Sequence, residues 1–312
     1  MAEIRPIKFS NELQSELFPE NEFYKNSIAE TGIGINVEKV QIPQAGASGS
    51  VGVGEPSSLP LTITKRTDDI KEYNVSQLYL EEPKLITNEN EIVINYNKRA
   101  DIQTSMALDL NTKAGDIAAT EWGATLAANI VRTTGTTNRA TEIVGATGNR
   151  KRLIYDDLVN MKGVMNRSNT PAGRWFGLLT AAMVDDIFLI DKLTDADKVQ
   201  LAKVQDGEIG VIFGVRWMMR HNDTLGHSGI IYDNTATPVK KAVGAAVAAT
   251  DNAAAIIWHE RLVRHAEGNA FTYILRDHPA YLGTILNSSV RFGATFNRSD
   301  QKGIVTIVEA NA

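Results

Sequence analysis

Residues 97–133 read NKRADIQTSMALDLNTKAGDIAATEWGATLAANIVRT, a run without proline. Ile102, Met106, Leu110, Ile117, Leu126 and Ile130 recur mostly three, four or seven positions apart, which is helical spacing. Ala114, Ala118, Ala119, Ala124, Ala127 and Ala128 add strong helix propensity. Asn111, Thr112, Gly115 and Gly123 subtract from it, so the pattern allows a kink or a break near Leu110–Gly115. A continuous helix over the whole run would be roughly 50 Å long at about 1.5 Å per residue, beyond the usual three to four turns. Such a rod is a spine, and the rest of the chain must pack along it or reach out from its ends.

On the N-terminal side, residues 1–34 form a polar arm. Phe9, Leu13, Leu17, Phe18, Phe23, Tyr24 and Ile28 are scattered over a charged background. Ser10 can cap a short helix that Pro19 ends. These apolar residues are too few for a core, so the arm gains order by lying on something else. Residues 35–80 predict an extended β-hairpin. Val37, Val40 and Ile42 form one arm, QAGASGSVGVGEPSS (44–58) the tip, and Leu59, Leu61 and Ile63, alternating with Pro60, Thr62 and Thr64, the return arm. Tyr73–Leu80 continue as a strand, and Asn88-Glu89-Asn90-Glu91 reads as a capping box opening a short helix. Little of this hairpin's outer half is apolar, so alone in water it is marginal and needs a neighbour to lie on.

On the C-terminal side, Gly135–Arg152 reads as a polar connector. Tyr155–Met165 predicts a helix with an acidic first turn, followed by a turn at Pro171-Ala172-Gly173 and a strand over Arg174–Ala182. A short helix from Asp185 to Leu193, a turn at Asp206–Gly210 and a buried strand over Val211–Met219 come next. This alternation reads as a compact α/β lobe. Ile257, Leu262 and Ala266 give His259–Ala266 helical spacing, and three strands close the chain at 271–276, 289–296 and 303–308. Asn297–Lys302 reads as the last hairpin turn. No internal repeat is visible. The whole is α+β, divided into the arm (1–34), the hairpin (35–80), a spine-helix domain (81–150), the α/β lobe (151–260) and returning strands (261–312).

Bulk properties narrow the function. With 312 residues, 43% of them hydrophobic and 22% charged, the composition is ordinary for a globular protein of one or two subdomains. A formal net charge of −5 argues against a nucleic-acid reader, which needs clustered Lys and Arg. Arg150-Lys151-Arg152 is the one dense basic spot and reads as a solvated loop. Without cysteine there is no disulfide framework or thiolate metal site, which fits synthesis in a reducing cytoplasm. The N-terminal stretch has no signal-peptide pattern and no window has the length of a membrane span.

Several stretches imitate chemistry and fail its spacing. His259-Glu260 begins like a zinc-protease helix, but Val263 stands where the second His is required. His265 would lie roughly 240° around a helix from His259, so both are expected as surface or rim histidines. Gly46–Gly54 lacks the Lys-Ser/Thr of a phosphate loop, as does Gly145–Lys151. Ser48 lacks the second glycine of a nucleophile elbow. Asp156/Asp157 and Asp185/Asp186 suit helix N-termini. Asp195 and Asp197 lack the later positions of a calcium loop. Trp122, Trp175, Trp217 and Trp258 are read as packing residues. No catalytic, cofactor-binding or metal-ligating residue is assigned.

Arm, Gly-tipped hairpin, spine, α/β lobe and returning strands, in this order, resemble the major capsid proteins of tailed bacteriophages, the Hong Kong 97-type fold. Leu179–Ile187 resembles the strand-then-helix of that family's axial lobe. Gly207–Arg216 resembles its G-x-I-x-x-x-x-G strand, and Arg291–Ile304 its closing hairpin. The resemblance implies that 35–80 is the E-loop, 81–150 the peripheral domain with the spine, 151–260 the axial domain, and 261–312 strands completing the peripheral domain. It implies a non-enzymatic, self-assembling subunit of an icosahedral virion shell around double-stranded DNA. The implied partners are copies of itself in hexamers and pentamers, a separate scaffolding protein, a portal, decoration proteins and non-specifically contacted DNA, with no membrane. Synthesis in the host bacterial cytoplasm follows. Two other classes compete: an encapsulin-like nanocompartment shell, which cargo-peptide binding would reveal, and an enzyme of unknown type, which a pocket of convergent titratable groups would reveal.

Overall fold

The computed structural model describes residues 22–30, 38–46, 49, 51–54, 61, 63–87, 98–194, 210–220 and 230–312. The arm helix expected around Ser10–Pro19, the capping box at 88–91 and most of the Asp206–Gly210 turn lie outside these residues. After a 3₁₀ turn at Glu22–Lys25 come β1 (Ile28–Ala29), β2 (Lys39–Gln44), β3 (Asp69–Asn74), β4 (Ser76–Tyr79) and β5 (Lys84–Thr87). The spine helix is α1 (Lys98–Trp122). It is followed by β6 (Ile130–Arg132), β7 (Asn138–Ala140), β8 (Asn149–Lys151), α2 (Tyr155–Arg167), β9 (Trp175–Leu179), α3 (Ala181–Phe188) and α4 (Asp191–Thr194). β10 (Val211–Ile212), β11 (Val215–Met219), β12 (Ile231–Tyr232), β13 (Asn252–His259), β14 (Val263–Glu267), β15 (Phe271–His278), β16 (Gly283–Phe296) and β17 (Ile304–Val308) complete the chain.

The spine runs unbroken through Leu110–Gly115 over 25 residues, about 37 Å at the helical rise. Met106, Leu110, Ala114, Ala118, Ala119 and Trp122 form its buried stripe at i, i+4 spacing. It stops well short of Thr133. Gly123 leaves no room for a side chain: a Cβ there would lie 2.7 Å from the Tyr232 hydroxyl. The Ala124 amide donates to Thr306 Oγ1, and its carbonyl accepts from Tyr232. Leu126 lies between the helix and a 3₁₀ turn, and Ile130 is a strand residue. Contacts more than a hundred residues away therefore end the helix, against the local pattern.

Two sheets flank the spine's C-terminal end. The six-stranded sheet has the order β1-β14-β16-β15, with β4 and β5 also paired to β16. The seven-stranded sheet runs β10-β11-β9-β13-β17-β6, with β12 on β13. β13 is buried on both faces. Ala254, Ile256 and Trp258 join the core around Trp122, while Ala255 and Ile257 face Leu158, Met161, Met183 and Ile187 of α2 and α3. That two-sided burial explains its continuous apolar run.

Several local readings are corrected. β9 ends at Leu179, because Thr180 Oγ1 accepts from the Met183 amide at 3.2 Å and caps α3, which starts four residues before Asp185. Val211–Met219 is a hairpin, not one strand: Phe213 (φ 54°) and Gly214 (φ 77°) make a two-residue turn between β10 and β11. His259–Ala266 is no helix. It is the tight turn from β13 into β14, which pairs with β16 from Val263↔Phe296 to Glu267↔Phe292. The connector Gly135–Arg152 contains the β7–β8 hairpin. Asn297–Lys302 closes no hairpin: it carries the chain from β16 in one sheet to β17 in the other. In the long hairpin, β2 pairs with β3 from Lys39↔Asn74 to Gln44↔Asp69, so the strand that pairs with β2 lies further along the chain than Leu59–Ile63, of which Leu59, Pro60 and Thr62 lie outside the described residues.

Candidate assembly surfaces

The residues with motif-like spacing hold the fold together. His259 is fully buried at the end of β13, not on a helix rim. Its Nδ1 accepts from the Arg261 amide at 3.3 Å, and its ring meets Trp175 edge-on at 5.3 Å. A Cβ at Gly173 would come within 2.5 Å of the imidazole. Glu260 Oε1 accepts from the Arg174 amide. Together they brace the 171–174 turn, and burial holds the His259 pKa below the ordinary imidazole value. His259→Ala is expected to cost about 2–3 kcal/mol and Glu260→Gln about 0.5 kcal/mol or less. Thermal unfolding of the two variants checks this.

His265 is also buried, on β14, and its burial likewise lowers its pKa. Its Nδ1 lies 2.7 Å from Ser27 Oγ, whose hydroxyl donates to the Tyr24 carbonyl at 2.7 Å. The ring therefore donates to Ser27. With the parallel β1–β14 pairing and the Arg264–Glu30 ion pair, it fastens residues 22–30 to the sheet.

Arg150 is no loop residue: it is buried on β8 and donates to the carbonyls of Thr147, Asn149, Ala249 and Asp251. Asp186 is not at a helix N-terminus either. It is buried within α3, where Oδ2 accepts from Arg139 Nε at 3.1 Å and from the Leu153 amide at 3.0 Å. Arg139 also pairs with buried Glu309. Burial pushes the Glu309 carboxyl up to about 7. Asp157, by contrast, does lie in the first turn of α2, where it accepts from the Ile154 amide and from Thr134. Trp122 and Trp258 pack against each other in the core, their ring centroids 5.2 Å apart and their planes tilted by 44°. Among the described residues no group of three or more His, Asp or Glu is placed to hold a metal ion. Ser48, Asp195 and Asp197 lie outside the described residues.

The hairpin has the opposite character. Its base is fixed: Ile42, Tyr73 and Val75 pack on Ala266, and Lys71 donates to the Phe296 carbonyl with its amine over the Phe296 ring. Gln44 reaches Asn297 and Ser299. At Gly46 the two arms touch so closely that a Cβ would sit 2.0 Å from the Thr67 carbonyl oxygen. The Gly46 amide and Arg66 both bind Asp68, and Arg66 chiefly holds that carboxyl below the ordinary range. Beyond this clasp the apolar side chains face solvent: Val51 is 94%, Val53 100% and Ile63 97% exposed.

The profile of the phage capsid protein family matches residues 84–310, well over half of the chain. The chain belongs to the phage capsid protein family. No curated protein matches it. Among solved structures, this capsid protein is similar to a Mycobacterium phage Che8 chain, at 15% identity and TM-score 0.68 over 98% of both chains. It is similar to the capsid of the cyanophage P-SCSP1u at 16% identity and TM-score 0.69, over 99% of this chain and 94% of the other. The capsid of a native GTA particle aligns at 11% identity and TM-score 0.66, over 99% of this chain and 96% of the other. These likenesses give the fold, which is of the Hong Kong 97 type. The capsid protein is a structural subunit of an oligomeric virion shell, a family that is not an enzyme class. No helix among the described residues is long and apolar enough to cross a membrane.

Proposed function

We propose that the subunit builds a closed icosahedral phage head around double-stranded DNA, and that its long hairpin is the strap binding one subunit to the next. The observation that carries this reading is the near-complete exposure of Val51, Val53 and Ile63 beyond a firmly anchored base. Leaving three large aliphatic side chains in water is unfavourable by about 1.5–3 kcal/mol each relative to burial, and neighbours in a shell remove that penalty. Gly49 and Gly54, at φ 92° and 87°, let the tip adapt to neighbours that meet at slightly different angles.

In this reading 1–34 is the arm, 35–80 the E-loop, 81–150 the peripheral domain, from which β6 crosses into the axial sheet, and 151–260 the axial domain. Of the returning strands in 261–312, β14 to β16 complete the peripheral sheet and β17 the axial one. Subunits meet as hexamers and pentamers, with a separate scaffolding protein, a portal and decoration proteins as partners, after synthesis in the host bacterial cytoplasm. A net charge of −5 suits a wall that touches packed DNA without adhering to it.

Replacing Ala45–Asp68 by a two-residue Asn-Gly turn joins Gln44 to its cross-strand partner Asp69 and should still close the hairpin. The expected product is a soluble subunit with native circular dichroism that no longer forms closed particles in size exclusion or electron microscopy. Normal, equally stable shells from this variant would remove the strap.

A further inference from the structure

Residues 22–30 enter the core as an aromatic plug. Phe23 and Tyr24 are buried. Phe23 lies edge-on to Trp122 and Trp258, with ring centroids 6.1 and 6.0 Å away, and Tyr24 edge-on to Phe292 at 5.3 Å. Trp258 Nε1 donates to the Asn26 carbonyl at 3.0 Å. The backbone then runs as β1, which has only two register pairs with β14, Ile28↔Arg264 and Ala29↔His265, before the Glu30 amide donates to the His265 carbonyl. So short a ladder holds little, since each hydrogen bond contributes about 0.5–1.5 kcal/mol net. Side chains must do much of the fastening, and His265 is at their centre. Its ring meets Tyr24 edge-on at 5.4 Å and lies near-parallel to Phe292 at 6.4 Å. The Ser27 hydroxyl hydrogen is committed to the Tyr24 carbonyl, so Nδ1 carries the proton of the neutral ring and donates to Ser27 Oγ.

We infer that His265 is an acid-operated latch: protonation of its ring releases residues 22–30 from the core while both sheets stay folded. A second proton on the ring goes to Nε2 and sets a full charge among aromatic side chains. The surrounding charges do not compensate it. On the plug, Lys25 is exposed, and Glu30 is engaged by Arg264, which points to the opposite face of β14. Tyr73 of the hairpin base belongs to that same Glu30–Arg264 neighbourhood. Glu267, two residues along β14, is exposed. β16 sets Ala294 opposite His265 and Phe292 opposite Glu267. On the spine, Asp116 pairs with Arg220, whose guanidinium lies 5.8 Å from the Phe23 ring. Burial therefore prevails and holds the ring's pKa below the ordinary 6.5. A released His265 takes up a proton at the ordinary value, and a docked one resists it. The stability of docking is thus complete above about pH 6.5 and declines as pH falls below that value. Glu309, with its raised pKa, acts in the opposite sense next to β17, so acid loosens the plug without loosening that part of the fold. His259, buried like His265, braces the 171–174 turn and not the plug.

The test is amide hydrogen exchange of the full chain at about pH 8 and about pH 5, corrected for intrinsic exchange rates. Protection of residues 22–30 should fall by about tenfold or more at the lower pH, while β17 and the spine keep theirs. His265→Asn offers an amide donor near the place of Nδ1 without a titrating ring, so its residues 22–30 should be equally protected at both pH values. Ser27→Ala, at a half-buried position, removes the acceptor and should lower protection of residues 22–30 already at about pH 8. Wild-type protection that does not change with pH overturns the latch. So does a loss shared equally by β17, an undiminished fall in His265→Asn, or full protection in Ser27→Ala. If His265→Asn is insoluble, the wild-type chain and Ser27→Ala decide.

Discussion

Ala118→Pro should yield no soluble subunit. Ala118 lies inside α1, fully buried, with Trp122 one turn further on and Ala114 one turn back, all in the core that also holds Phe292 and Trp258. Proline removes the amide that bonds to the carbonyl four residues earlier, and its ring collides with that carbonyl, at a cost of about 3 kcal/mol or more. An exposed helix could kink to relieve the collision. Here a kink would pull Ala114 and Trp122 off the two sheets they join, adding cavity costs to the backbone cost. Against a total stability of about 5–15 kcal/mol the sum is decisive. Ala118→Gly, which keeps the amide, should cost about 1 kcal/mol from propensity, with a smaller cavity, and remain foldable. Soluble Ala118→Pro monomer with native circular dichroism would contradict this account of the spine.

The spine was legible because its buried stripe is local, written at i, i+4 between Met106 and Trp122. Its end was not, because Leu126 and Ile130 prolong the same spacing, while Tyr232 and Thr306 decide where the helix stops. The hairpin was legible from its glycines and alternating arms, but its return strand was misplaced. Asp69–Asn74 is polar in composition and becomes a strand by pairing with Lys39–Gln44. His259 and His265 were read as rim residues of a helix because Ile257, Leu262 and Ala266 have helical spacing. Strand pairing overrides that spacing: β13 on β9 buries His259, and β14 on β16 buries His265. The exposed apolar side chains on one face of the six-stranded sheet had no signal in any single stretch: Tyr79, Leu85 and Phe271 come from three strands, and only their register with β16 assembles them. The order of elements, by contrast, does not depend on register, so the family resemblance survived these local errors.

The same logic gives the second large effect, at a charged group set in the interior. Arg139 on β7 joins Asp186 of α3 to Glu309 just after β17, three segments far apart in sequence. Arg139→Met removes the cation shared by two buried carboxylates, leaving Asp186 with Arg152 alone and Glu309 with Glu142 and Arg150 as the other charges acting on it. Breaking a buried pair in this way costs about 3–5 kcal/mol. The cost should depend on pH, because Glu309 can take up a proton. Its pKa is about 7 in the folded chain against an ordinary 4.5, so between these values the folded state holds a proton that the unfolded state has lost. Stability from this group is therefore greatest below about pH 4.5, declines as pH rises toward 7, and is flat above. Glu309→Gln should abolish this decline, worth about 3 kcal/mol at most over the window. Removing Arg139 raises the carboxyl's pKa further and extends the decline to higher pH, so Arg139→Met should be markedly worse at pH 8.5 than at pH 5. The double variant Arg139→Met/Glu309→Gln should recover part of the loss at pH 8.5, a coupling that a double-mutant cycle in urea measures directly. Additive losses that do not change with pH would mean that Glu309 is already ionised beside Arg139 throughout this range, and that the cluster is an ordinary ion pair.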